Sequence, residues 1–118
     1  AALEAVEREL EAAGMAVPEA AAWQARLGAA QAAQVMSLGL FLGRLVRVSQ
    51  ELIYTARQME ELRSKLAAWF AKKPTMSVVE FKDLAGVSRK YAVPLLEHCD
   101  RVGWTVRSGD ERRRGGRG

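Results

Sequence analysis

Ser88-Arg89-Lys90-Tyr91 opens an amphipathic helical pattern that continues through Pro94-Leu95-Leu96-Glu97 to Asp100-Arg101. Two cations and an aromatic ring are thereby set at a helix start, where backbone N–H groups point outward and favour an anion. A basic hairpin pattern, Trp104 to Arg114, follows directly and carries Arg107, Ser108, Gly109 and Arg112. A helix N-terminus beside a cationic hairpin suits a nucleic-acid backbone. Arginine serves such a surface in two ways, by bidentate bonds to phosphate and by stacking its planar guanidinium on an unstacked base. Arg89 is expected to do both, Lys90 to pair with a phosphate as a point charge, and Ser88 to offer a hydroxyl. Arg107 and Arg112 are expected to bracket the same nucleic-acid backbone from the hairpin.

The formal net charge of +4 lies entirely after Val87. Residues 88–118 hold eight Lys/Arg against four Asp/Glu, whereas residues 1–55 hold four against six. A scaffold with one cationic end steers toward a polyanion. Other chemistry has little to work with. Cys99 is the single cysteine, so neither an intramolecular disulfide nor a cysteine metal cage is available. His98 stands beside it with no second His or Cys. No Gly-rich phosphate loop and no nucleophile–base pair is present, so catalysis, metals and cofactors are not expected. Trp23, Trp69 and Trp104 read as packing anchors, and Tyr91 as core or rim packing before base stacking. No apolar run reaches the roughly 18–20 residues that span a bilayer. The chain begins without Met and is expected to be a piece of a longer protein, from a reducing, cytoplasmic setting.

The elements that hold these residues follow from periodicity and punctuation. Leu3, Val6, Leu10 and Ala13 recur at helical spacing with Glu4, Glu7 and Glu11 between them. Residues 19–27 and 30–42 predict two further helices, and 45–48 and 52–55 a hairpin. The order then repeats. Met59, Leu62, Leu66, Trp69 and Phe70 form a helical stripe, and Ser77-Val78-Val79-Glu80 is a capping-box sequence opening a short helix with Phe81 and Leu84 inward. Ser88 caps the next helix, whose inner stripe is Ala92, Leu95, Leu96, Cys99 and Val102. The hairpin 104–114 turns at Ser108-Gly109-Asp110. Pro94, about six positions past the Ser88 cap, predicts a later helix start or a kink.

Three helices closed by a hairpin is the winged-helix arrangement. The expected fold is therefore mainly α with small β-hairpin wings, an α+β chain of two tandem winged-helix domains at 1–55 and 56–114. Residues 115–118 are expected to form a flexible Arg/Gly tail. No Gly/Ser/Pro-rich spacer separates the two halves.

Ser88-Arg89-Lys90-Tyr91-x-x-Pro94-Leu95-Leu96-Glu97, Asp100-Arg101, Trp104-Thr105, Arg107 and Gly109-Asp110-x-Arg112 resemble the last winged-helix domain of the bacterial selenocysteine-specific elongation factors, the SelB family. The first half resembles that family's third winged helix, and the second half its fourth. The resemblance implies binding of the SECIS mRNA hairpin that recodes UGA as selenocysteine. It places RNA-binding residues at Ser88, Arg89, Lys90, Tyr91, Arg107, Ser108, Gly109 and Arg112. It further implies a monomer in the cytoplasm with no membrane partner. The ribosome, selenocysteyl-tRNA and GTP would be engaged through domains of the full-length factor absent here. Two departures stand out: Val106-Arg107 replaces an Arg pair on the first wing strand, and the final strand, more apolar in relatives, is here Arg112-Arg113-Arg114 running into Gly115-Gly116-Arg117-Gly118.

A DNA-binding transcriptional regulator is the main competing expectation. Such proteins read the major groove with polar side chains on a long helix. Here the helix would offer only Glu97, His98 and Arg101 outward. A protein-interaction role suits the acidic first half better than the second.

Overall fold

The computed structural model describes every residue, 1–118. Its elements are α1 (Ala2–Ala12), α2 (Ala20–Leu27), α3 (Ala29–Phe41), β1 (Leu45–Arg47), β2 (Ile53–Thr55), α4 (Ala56–Phe70), β3 (Thr75–Ser77), α5 (Val78–Ala85), α6 (Arg89–Val102), β4 (Thr105–Ser108) and β5 (Glu111–Arg114). They fall into two compact units, residues 1–59 and 60–118.

In the first unit, the α1 stripe of Leu3, Val6 and Leu10 is buried as its spacing requires. Trp23 and Tyr54 fill the centre, and the Tyr54 hydroxyl donates to the Met15 carbonyl at 2.7 Å. Gly39 lets β1 lie against α3, because a Cβ there would fall 2.5 Å from Leu45 Cδ1. Arg44 Nε donates to Glu7 Oε2 at 3.0 Å, tying the end of the three-helix layer to α1. Leu38, Phe41 and Leu42 stay exposed at the end of α3.

Helix α4 starts three residues before its apolar stripe. Gln58 N–H donates to Thr55 Oγ1 at 3.1 Å, and Thr55 N–H donates to Gln58 Oε1 at 2.9 Å. This reciprocal Thr-x-x-Gln cap was available as a sequence signal. Gln58 is buried and also donates from Nε2 to the Leu10 and Gly14 carbonyls.

The second unit builds a three-stranded antiparallel sheet in the order β3-β5-β4. Strand β3 is not expected from its sequence. Three residues carry little periodicity, and this strand exists only by pairing with β5, Met76 opposite Arg112. The capping box of α5 forms as expected: Glu80 N–H donates to Ser77 Oγ at 3.1 Å and Ser77 N–H to Glu80 Oε1 at 2.8 Å. Phe81 is fully buried and Leu84 partly so. Trp69 acts as an anchor, its indole N–H donating to the Thr75 carbonyl at 2.9 Å where the chain enters β3.

Two expectations need correction. Helix α6 does not start late; it runs from Arg89 to Val102 with the proline inside. An interior proline costs a helix about 3 kcal/mol. Burial of Ala92, Leu95, Leu96 and Cys99, each at most 1% exposed, offsets that cost. Nor is the Arg/Gly tail loose. Gly115 N–H donates to the Trp104 carbonyl at 2.9 Å and Arg117 N–H to the Gly103 carbonyl at 2.8 Å. The tail thus supplies donors to the Gly103 and Trp104 carbonyls, just past the end of α6.

Candidate nucleic-acid interface

Ser88 takes the N-cap position of α6 with extended backbone, φ −81° and ψ 173°, yet its side chain makes no cap bond. The hydroxyl expected to close the helix start leaves it open instead. Ser88, Arg89 and Lys90 are exposed there, and Tyr91 is half-buried with Lys90 Nζ 5.6 Å from its ring centre.

The hairpin brings a second group of residues to the same place. Strand pairing sets Arg107 opposite Arg112 and Ser108 opposite Glu111, so the turn falls at Gly109, whose φ of +63° suits glycine. Arg107 Nε donates to the Gly109 carbonyl at 3.1 Å, which holds the side chain along the turn. Arg89 of α6 and Arg107 of β4 line one shallow depression with Val78, Val93 and Glu97, and Arg112 also borders it. Residues 18 positions apart in sequence thus flank one concave surface, with cations on both sides.

Arg112 does not present its charge to solvent as expected. Its side chain is 7% exposed, and Nη2 lies 3.0 Å from Asp100 Oδ2. Asp100 also accepts from the Thr105 hydroxyl at 2.6 Å. The reason is register. Alternate residues of β5 face opposite ways, and Arg112, opposite Met76 and Arg107, faces α6. Arg112 is therefore the strut that fixes the wing to the helix, while Arg113 faces outward and is exposed.

His98 also differs from expectation. It is buried, with its ring edge-on to Trp104 at 6.2 Å. Burial, with Arg101 nearby, holds its pKa below the usual imidazole value. Of the side chains expected outward on this helix, Glu97 and Arg101 alone are exposed. Cys99 is fully buried, which with the Asp100 charge pushes its thiol up to about 12. The folded state keeps this thiol protonated, so its contribution to stability is complete below the ordinary value of 9.0 and declines as pH rises toward 12. Iodoacetamide at pH 8 should accordingly label Cys99 only after denaturation; rapid labelling of the folded protein would contradict its burial.

Helices closed by a strand-paired hairpin, with an open cationic helix start beside it, define the class as winged-helix. Residues 68–114 match the family described as elongation factor SelB, winged helix. A selenocysteine-specific elongation factor of Desulfomicrobium baculatum is 35% identical over 86 residues, covering 73% of this chain. The chain spans 14% of that relative's length. Among solved structures, the mRNA-binding domain of elongation factor SelB from E. coli in complex with SECIS RNA shares the fold. That likeness has a TM-score of 0.64 and 21% identity over 71% of this chain and 69% of the other. A bacterial selenocysteine-specific elongation factor EF-Sec matches with a TM-score of 0.63 and 30% identity over 70% of this chain and 14% of its own. Residues 68–114 carry the SelB winged-helix pattern, and the chain is similar to the winged-helix region of selenocysteine-specific elongation factors.

Proposed function

We propose that this chain is the part of a selenocysteine-specific elongation factor that binds the SECIS hairpin of selenoprotein mRNA. One observation carries the reading: Arg89, beside the open start of α6, and Arg107 of the wing border a common concave surface. A-form stems hide their bases, so a protein reads a hairpin by stem phosphates and by unstacked loop bases. Arg89 and Lys90 serve a loop base and its phosphate, Ser88 offers its hydroxyl, and Arg107 with the Ser108-Gly109 turn follows the stem backbone. Tyr91 supports the first turn by packing. The partners of the full-length factor (ribosome, selenocysteyl-tRNA and GTP) and a cytoplasmic location follow from the same reading, and the GTPase chemistry belongs to other domains. This chain acts by binding.

Withdrawing Arg112 from the phosphate contacts changes the expected salt dependence. Three cations, Arg89, Lys90 and Arg107, should give a slope of log K against log salt of roughly −2 to −3. Five contacts would give a steeper one. Titrating the chain with a selenoprotein hairpin, a loop-mutated hairpin and duplex DNA across a salt series tests both slope and preference. Equal affinity for all three nucleic acids would overturn specific hairpin binding.

A further inference from the structure

A second cationic surface lies at the other end of α6. Arg63 of α4 lies over Trp104, its guanidinium carbon 5.5 Å from the ring centre, and also donates to the Arg117 carbonyl. The Arg117 side chain lies over Gly103, where a Cβ would meet its Cδ at 3.2 Å. Arg114 pairs in register with Thr105, beside Trp104, and donates from Nη2 to the Gly118 carbonyl at 3.2 Å. The folding of the tail creates this cluster. Gly115 packs so closely that a Cβ would fall 2.3 Å from the Gly103 carbonyl oxygen, so the turn that carries Arg117 depends on glycine.

An ordinary structural role does not account for so much charge. Cations near a helix C-terminus compensate a partial charge of about −0.5. Arg63, Arg114 and Arg117 bring three positive charges; Arg63 donates to the Arg117 carbonyl and Arg114 to an oxygen of Gly118, the last residue, while the Arg117 side chain packs on Gly103. The nearby Asp100 carboxylate is already occupied by Arg112 and Thr105. Even with a carboxylate counted at Gly118, the excess is more than one positive charge around a half-buried indole. Cations interleaved with an aromatic ring are what single-stranded nucleic acid requires: phosphates track the charges and bases stack on planar groups.

We propose that Arg63, Trp104, Arg114 and Arg117 form a second binding site, for unpaired RNA. A guanidinium held over Trp104 leaves a planar cation beside the ring for a base, and Arg114 and Arg117 neutralise the adjoining phosphates. The 14 residues of α6 separate this site from the Arg89 surface by about 20 Å. Unpaired RNA has two sources, a single-stranded extension of the bound hairpin or a separate strand. The site itself stands independently of whether a hairpin occupies the Arg89 surface.

A short labelled oligouridine, a blunt selenoprotein hairpin and the same hairpin with a single-stranded extension distinguish these cases. The Arg63→Gln/Arg117→Gln variant should bind oligouridine about tenfold more weakly, with blunt-hairpin affinity unchanged. Arg63→Lys keeps the charge but loses the planar stack, and should lose part of that affinity without threatening the fold. An extended hairpin that binds tighter than the blunt one, with the gain abolished in the double variant, makes the extension the ligand. No such gain, while oligouridine still binds, makes a separate strand the ligand. The proposal is overturned if both Arg63 variants bind oligouridine within twofold of the parent. It is also overturned if Arg89→Ala/Arg107→Ala removes oligouridine binding just as fully. Failure of the parent chain to bind the blunt hairpin, with oligouridine binding kept, would count against the Arg89 surface and leave this site intact.

Discussion

Replacing Asp100 with alanine should destabilise residues 60–118 by about 3 kcal/mol, because removing one partner of a buried ion pair strands the other. The stranded group is Arg112, whose side chain is 7% exposed against 25% for Asp100. The partial exposure of Asp100 puts the cost at the low end of what such breaks produce. Thr105 loses its hydroxyl's acceptor in the same variant. Hydrogen exchange of the α6 and β5 amides under increasing urea reads this unit separately from residues 1–59. The double change Asp100→Leu/Arg112→Met removes both charges together and should recover most of the loss. A fall below about 1 kcal/mol in the single variant would mean that Arg112 finds water or another acceptor, and its role as strut would be wrong. Because Arg112 anchors β5, and β5 carries β4 with Arg107, the single variant should also bind a hairpin more weakly.

The double variant Arg89→Ala/Arg107→Ala should weaken hairpin binding by about 2–4 kcal/mol, roughly thirtyfold to a thousandfold. Each arginine contributes charge-assisted bonds to phosphate, and Arg89 also stacks on a base. Neither is buried or ion-paired, so the fold should tolerate both changes. Arg113→Ala, on the outward face of the sheet, should change affinity by less than about threefold. Direct binding titrations with native and loop-mutated hairpins separate two effects. Arg107→Ala should weaken both hairpins alike, whereas Arg89→Ala should narrow the gap between them. If Arg113→Ala proves as damaging as Arg89→Ala, the interface lies on the wrong face of the wing.

The two units differ in charge in a way that suits this division of labour. Residues 60–118 hold thirteen Lys/Arg against eight Asp/Glu, while residues 1–59 hold five against six. Attraction to a polyanion is concentrated on the unit that carries both cationic surfaces.

Local signals decided which elements exist and in what order, except for β3, which needs β5. Gly28, Gly43, Gly86 and Gly103 stop or separate helices where positive φ is needed, and each does so in the folded chain. The Ser77–Glu80 capping box and the stripe from Ala92 to Cys99 are short-range patterns, complete within a turn or two, so sequence alone displays them. The Thr55–Gln58 box was equally visible, and it extends α4 back to Ala56. Arg89, Lys90 and Gly109 were readable for the same reason, since helix starts and hairpin turns are local events.

The inward or outward direction of a side chain on the small sheet was not readable in this way. Arg112, Arg113 and Arg114 are chemically alike and adjacent, yet one is a buried strut, one faces solvent, and one joins the cluster around Trp104. Pairing of β5 with β3, more than thirty residues earlier, assigns those directions, and a shift of one residue would reverse them. The order of the Arg/Gly tail is likewise set by distant carbonyls at Gly103 and Trp104. His98 turns inward because Trp104 and its helix offer an apolar edge that periodicity alone does not reveal. Apart from β3, elements arise from neighbours along the chain, whereas the direction of each cation on the sheet arises from contacts between segments far apart in it.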